Sequence, residues 1–381
     1  MTEKLYYKNS YIKEFSATVR DCIEYNGKYA VILDKTAFFP CGGGQYGDTG
    51  VINGINITDT IEKDGEILHI ADSIIDKGTV VLCNIDWEKR FMRMQNHSGE
   101  HILSGLIFSQ FGYNNVGFHL GDDDVTLDCD GKLSDNDIEL LESKANKAID
   151  ENLSITAYFP TKDELSGLQY RSKLDLTEDV RIVVIDKIDK CACCAPHVAS
   201  TSQIGLIKVS KHYNYKNGTR IHIKCGELAR RDYSVLQRQA NKIANDSSVK
   251  PYEIIDTYDK LKSEISLLKN IVRNLRDREI QSLIDNPDCN NEIYFYSVDS
   301  YSNTEIVSLL NQSLKKHQKT AVIFSYAEAD FHSFIIGGEK AKECFEILKT
   351  LGAKGGGKDY IQGRIQTSDI GKVIETIKER A

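Results

Sequence analysis

Apolar positions along this chain change rhythm several times, and each change marks a new stretch. From residue 1 to about 88, short apolar runs at 15–19, 28–33, 66–70 and 79–85 alternate with Gly, Asn and Asp, which predicts short strands joined by tight turns and closing into a small β-barrel. Between 87 and 111 the period lengthens. Phe91 and Met94, and then Leu103, Ile107 and Phe111, fall at three- and four-residue steps with no Pro and no β-branched run, so a long helix is expected. A second helix over 134–152, opened by Asp135 and Asn136, and strands ending near Cys225 complete an α+β region.

Residues 228–283 read as helical throughout, with a break at Asn245-Asp-Ser-Ser-Val-Lys-Pro251. In the second arm Ile254, Tyr258, Leu261, Ile265, Leu268, Val272 and Leu275 step by four and three, the seam of a coiled coil or of a helical hairpin packed on its neighbours. After residue 286, the runs Glu292-Ile-Tyr-Phe-Tyr-Ser, Thr320-Ala-Val-Ile-Phe-Ser and Ser333-Phe-Ile-Ile-Gly alternate with amphipathic helices, an α/β pattern. The expected class is α+β, divided as a barrel (1–88), an α+β domain (89–230), a helical, coiled-coil-like linker (231–285) and a C-terminal α/β module (286–381).

Composition narrows the setting. No apolar run approaches membrane-spanning length and Met1-Thr-Glu-Lys-Leu-Tyr-Tyr lacks a signal-peptide core, so a cytoplasmic protein is expected, with no membrane partner. Ten Cys without framework-like pairing suit a reducing compartment. A net charge of −8 argues against holding nucleic acid by bulk attraction, although residues 311–381 carry 12 Lys and Arg against 9 Asp and Glu.

Two short signatures carry the chemistry: His97-Ser-Gly-Glu-His101 and Cys193-Cys-Ala-Pro-His197. The first places two imidazoles on one helix face; the second follows a strand-like run at 180–186, and Pro196 makes it a loop. Three His and one Cys are a zinc-like donor set, provided helix and loop meet. Cys191 and Cys194 crowd the same loop, and Cys193 is preferred because its spacing to His197 mirrors the histidine pair. Two glycine clusters add weaker signals. Thr36-Ala-Phe-Phe-Pro-Cys-Gly-Gly-Gly-Gln-Tyr-Gly-Asp-Thr-Gly50 allows close backbone approach, with Gln45 and Asp48 as polar handles. Leu351-Gly-Ala-Lys-Gly-Gly-Gly-Lys-Asp-Tyr360 mixes glycine with Lys354 and Lys358 and is a candidate phosphate cradle.

In combination the chain resembles the editing region of alanyl-tRNA synthetase and its freestanding AlaX-type relatives. The resemblance rests on Phe-Phe-Pro-Cys-Gly-Gly-Gly-Gln45 with Asp48, on the two metal-type signatures with Ile204-Gly205, on Asn217-Gly-Thr-Arg220 with Gly226-Glu227, and on Gly355-Gly-Gly-Lys358 through Gln362-Gly363-Arg364. It implies a long-form editing hydrolase that acts in trans on tRNA(Ala) mischarged with serine, with glycine as a second substrate. It further implies one Zn2+ held by His97, His101, Cys193 and His197, an aminoacyl pocket lined by Thr36 and Gln45, and a DHHA1-like C-terminal module that holds tRNA through Lys354, Gly355, Gly356, Gly357, Lys358 and Arg364. A homodimer through the helical linker or the C-terminal module is the expected assembly. The chain departs from the family pattern at Ala195-Pro196 and at Glu100.

Serine and glycine are the expected errors because a pocket shaped for alanine rejects neither a smaller residue nor one added hydroxyl strongly. A Thr36 hydroxyl could read the serine side chain. Four protein ligands fill a tetrahedral shell, so the metal is expected to position the substrate, with Glu100 as candidate base. Two other readings compete: an inverted zincin peptidase, in which Glu139, Glu142 or Glu151 joins His97 and His101, and a zinc-stabilised tRNA-binding protein without catalysis.

Overall fold

The structure, a computed structural model, describes residues 1–123, 125–172, 179–290, 292–327 and 330–381. They form two compact units, Met1–Ile243 and Ala244–Ala381, with mixed α and β content in both.

Unit one opens with β1 (Glu14–Tyr25), β2 (Lys28–Leu33), β3 (Gly50–Ile52), β4 (Ile55–Lys63), β5 (Glu66–Ala71) and β6 (Val80–Ile85). They close on themselves as a barrel in the order β1-β2-β5-β4-β3-β6. Alternation places Val19, Val31, Leu33, Ile52, Ile57 and Val81 inside, where Phe38 from the glycine-rich segment joins them. Asp86 then caps helix α1 (Trp87–Phe111) by accepting from Lys89 N–H, and Gly112, at φ 72°, ends it. Met94, Ile102, Leu103 and Ile107 bind α1 into the core, yet Arg90, Gln95, Asn96, Ser98, Glu100 and Ser104 are buried too. A helix with polar residues buried on several faces is packed for what those residues hold.

Three more layers surround α1. Strands β7 (Asn115–Leu120) and β8 (Val125–Cys129) pair with β12 (Ile207–Tyr215) and β13 (Gly218–Cys225) in the order β12-β13-β8-β7. Helix α2 (Asp135–Asp150) starts from a Ser134–Asp137 capping box, one residue before the Asp135-Asn136 pair expected to open it. Strands β9 (Ile155–Tyr158), β10 (Ile182–Ile185) and β11 (Asp189–Ala192) form a small antiparallel sheet. The sequence pattern missed β11, whose four residues include two charges and alternate too briefly to stand out.

Two glycines let α1 lie against these sheets. A Cβ on Gly99 would sit 2.3 Å from Cys225 Sγ on β13, and one on Gly105 2.8 Å from the Ile188 carbonyl oxygen beside β11. A buried ion pair fastens the barrel to the same helix: Arg90 grips Asp48, whose Oδ2 also accepts from Phe39 N–H (2.6 Å); Arg93 adds a bond to the Gly47 carbonyl (2.6 Å) and pairs with the half-exposed Asp122 beyond β7 (2.9 Å). Asp48, expected as a ligand handle, is thus a structural anion. Helix α3 (Gly226–Asp246) closes this part of the chain.

In unit two, α4 (Ile254–Asp285) buries Ile280 and Ile284, while Tyr258, Leu261, Ile265, Leu268, Val272 and Leu275 are each half or more exposed. A mixed sheet follows. Asp288–Cys289, β14 (Ile293–Val298), β15 (Thr320–Tyr326), β16 (Phe331–Gly337), β17 (Lys354–Gly356) and β18 (Ile361–Gln366) are ordered 288–289, β14-β15-β16-β18-β17. Helix α5 (Asn303–His317) packs with α4 in one apolar cluster, and α6 (Ala341–Thr350) and α7 (Ile370–Arg380) in another. No helix among the described residues is long and apolar enough to cross a membrane.

Candidate active site

Helix α1 offers His97 and His101 one turn apart, and the loop leaving β11 brings Cys193 and His197 to the same face. Their ligand atoms all lie within 4.8 Å of one another. Cys193 Sγ stands 3.5 Å from His97 Nε2 and 3.4 Å from His197 Nε2. Arg181 holds the loop by donating to the carbonyls of Cys193 (3.0 Å) and Ala195 (2.8 Å), while Cys193 N–H donates to the Arg181 carbonyl (3.0 Å).

Every imidazole is oriented from behind. His97 Nδ1 meets Gln45 Oε1 at 3.0 Å, His101 Nδ1 meets Asp189 Oδ2 at 3.2 Å, and His197 Nδ1 meets Ser98 Oγ at 3.0 Å. An amide oxygen and a carboxylate only accept, so Nδ1 of His97 and His101 carries the proton and Nε2 keeps its lone pair. Arg171 in turn grips Asp189 with Nε (2.8 Å) and Nη2 (2.7 Å). This arrangement of outer partners is the one that metal-ligating histidines take, and the donor set fits a soft-to-borderline divalent ion such as zinc.

Electrostatics agree with that fit at Cys193 and His197, whereas at His101 burial, which would lower the ring, is outweighed by Asp189 and Cys193, which hold it well above its ordinary value, so a metal would displace a proton there. Burial alone would raise the Cys193 thiol, but His97, His197 and His101 outweigh it and hold the group well below its ordinary value, toward the thiolate a metal needs. Burial pushes His197 down to about 3, keeping it neutral, whereas it pushes Cys191 up to about 11. Cys191 belongs to a different trio, with His101 and Asp189.

A cavity of about 610 Å3 opens over the cluster, bordered by His97, Glu100, His101 and Cys193 and by Gly43 and Gly44 of the glycine turn. Gly44, at φ 83°, crosses so close to β7 that a Cβ there would lie 2.8 Å from the Phe118 carbonyl oxygen. Glu100 is 3% exposed rather than solvated: Oε1 accepts from Ser104 (2.6 Å) and Asn115, and Oε2 stands 3.9 Å from His101 Nε2. Gln45 is buried behind His97, and its Nε2 has no partner among the described residues. Thr36, fully buried, lies in the barrel: its hydroxyl meets His69 Nε2 at 2.8 Å and accepts from Phe38 N–H at 3.1 Å. Neither Thr36 nor Gln45 is among the cavity's lining residues. Glu142, offered by the peptidase reading as a third ligand, is taken by Val209 N–H (2.7 Å) and Lys208.

A family model described as threonyl and alanyl tRNA synthetase second additional domain matches residues 180–222, and one described as tRNA synthetases class II (A) matches 2–89. The alanyl-tRNA editing protein AlaX-L of Pyrococcus horikoshii is 30% identical over 96% of this chain and 95% of its own length. The chain belongs to the alanyl-tRNA editing proteins. The AlaX-M editing protein of Saccharolobus solfataricus is 35% identical over 58% of this chain and 97% of its own. An alanine–tRNA ligase of Ignicoccus hospitalis is 27% identical over all of this chain, which spans 43% of the ligase. A solved C-Ala domain from Aquifex aeolicus alanyl-tRNA synthetase matches 24% of this chain at 24% identity with a TM-score of 0.22.

In this editing protein the C-terminal glycine segment is not the expected loop. Lys354–Gly356 is an edge strand, because Gly355 and Gly363 face each other so closely that a Cβ on either would strike the opposite backbone at 2.3 Å or less. The pairing sets Lys354 directly beside Arg364, both exposed, with Gly357 and Lys358 in the exposed turn beyond.

Asp189, Ser98, Arg171 and Asn115 escaped sequence reasoning. Each is an ordinary polar residue in an ordinary run, and only the fold shows what it touches.

Proposed function

We propose that this chain hydrolyses the ester linking serine, and secondarily glycine, to mischarged tRNA(Ala). The observation that carries the reading is the set of three imidazoles, each anchored at Nδ1, around one thiol on the floor of a cavity. His97, His101, Cys193 and His197 would hold a zinc ion, which when bound supplies a fixed positive charge that orients the aminoacyl group. Gln45 keeps His97 in the ligating tautomer from behind, outside the cavity lining. Glu100, braced by Ser104 and Asn115, accepts the proton of the attacking water on Oε2.

Thr36 is kept as the reader of the serine hydroxyl on the family resemblance alone, since it is fully buried and does not line the cavity. His69 donates its Nδ1 proton to the Val31 carbonyl (2.8 Å), so Thr36 must donate to Nε2, and after the Phe38 N–H bond one lone pair of its oxygen is left to accept from serine. Residues 286–381 hold the tRNA body through Lys354 and Arg364, with the glycines 355–357 setting their spacing and Lys358 next to them. The exposed seam of α4 supports a homodimer, which sedimentation would test.

Deacylation of Ser-, Gly- and Ala-tRNA(Ala), with and without a chelator, tests the assignment: serine and glycine are released, alanine is spared, and chelation stops the reaction. Thr36→Val should slow the seryl substrate by about tenfold to a hundredfold more than the glycyl one, the worth of a buried hydroxyl contact. Equal losses would return Thr36 to the barrel as a structural residue.

A further inference from the structure

The cavity is much larger than a seryl group, falling within the roughly 300–1,000 Å3 that a nucleoside-sized ligand needs. Its upper wall is aromatic. Phe108 and Phe159 both line it, yet they are 45% and 50% exposed and belong to no apolar core cluster. Phe108 lies seven residues beyond His101 on α1, two turns along the same face and about 10 Å up the axis. Phe159 meets Tyr7 edge to face with centroids 5.3 Å apart, and the Arg181 guanidinium lies over Tyr7 at 5.4 Å, so that ring is backed by a fixed cation.

An ester that must reach the histidine floor carries its ribose and base with it, and these exposed rings offer the base a stacking surface within the same cavity. We infer that Phe108 and Phe159 form the platform on which the 3′-terminal adenosine of the tRNA stacks, positioning the ester over His97 and His101. The inference rests on the editing assignment and names where that substrate's last nucleoside sits. Aromatic faces accept any base, so the platform supplies affinity and placement, while discrimination among amino acids stays at the floor.

The test uses the full chain supplied with zinc and a non-hydrolysable probe, 3′-deoxy-3′-(L-seryl)aminoadenosine, titrated by calorimetry. Both rings are half exposed, so truncating them spares the fold, which circular dichroism confirms. Phe108→Ala and Phe159→Ala should each weaken probe binding by roughly five- to hundredfold, the range measured for loss of one stacking partner. The same factor should appear in KM for Ser-tRNA(Ala) rather than in kcat, and Phe159→Tyr should restore both. Probe affinity and KM within about twofold of the parent in both alanine variants would overturn the platform even if editing persists, as would a parent that edits but does not bind the probe. A parent that binds the probe through these rings yet leaves Ser-tRNA(Ala) intact would instead sink the editing assignment and leave the platform standing.

Discussion

At the scale of single residues, the choice between neighbouring thiols is decided by direction. Cys193 points its sulfur at two imidazole nitrogens, whereas Cys191, on β11, is held protonated by burial and shares His101 with Asp189. Cys193→Ala should therefore lose stoichiometric zinc by mass spectrometry or atomic absorption while Cys191→Ala retains about one ion per chain; retention by the first and loss by the second would reverse the ligand assignment. His69 yields a prediction of a different kind. Burial lowers it to about 4 in the folded chain, so between that value and its ordinary 6.5 the unfolded chain binds the extra proton. Stability is thus whole above pH 6.5 and drains away as pH falls toward 4, by about 2 kcal/mol between pH 7 and 5. Urea unfolding across that window should show the slope in the parent and a flatter one in His69→Gln. The spacing of the candidate ligands His97, His101, Cys193 and His197 is readable because it lies within short stretches of chain. Asp189 and Ser98 are not, since a partner is recognisable only when the fold has brought it to the ring nitrogen.

Elements show the same division between local and distant causes. The helix 87–111 was legible to the residue because its cap, its period and its terminal glycine are all local. What the apolar period concealed is that the polar side of α1 is buried as well. Gly99 reads as a weak spot in a helix, yet it marks the close crossing of α1 over β13. An alanine there would normally gain about 1 kcal/mol of helix propensity. Here its methyl would meet Cys225 Sγ at 2.3 Å in a fully packed core, so Gly99→Ala should destabilise by about 1–3 kcal/mol in denaturant unfolding and weaken zinc binding as α1 shifts. A variant as stable as the parent would show that β13 can yield. The strand 354–356 is hidden for a related reason: a run of glycine reads as a phosphate cradle, and only its partner strand reveals that bare backbone is needed for two strands to approach.

For the molecule as a whole, net charge −8 means that tRNA must be held by local contacts, and the cross-strand pair Lys354 and Arg364 is the C-terminal candidate for one. Replacing both with Ala should raise KM for Ser-tRNA(Ala) and flatten the dependence of log affinity on log salt by roughly 0.7–0.9 per phosphate contact removed; an unchanged slope would place the tRNA elsewhere. Zinc content should stay as in the parent, because the ligands all belong to Met1–Ile243. The buried pair of Asp48 and Arg90 has a practical consequence for anyone wishing to transplant this activity onto another carrier. The chain's obvious joint, between Ile85 and Trp87, is the wrong place to cut: one fragment would inherit an anion and the other a cation, each 1% exposed and each now without its counter-charge. A cassette that travels intact must keep barrel and helix together, and a cut at the far side belongs beyond Asp246, where α3 ends, since the boundary of Met1–Ile243 falls inside that helix.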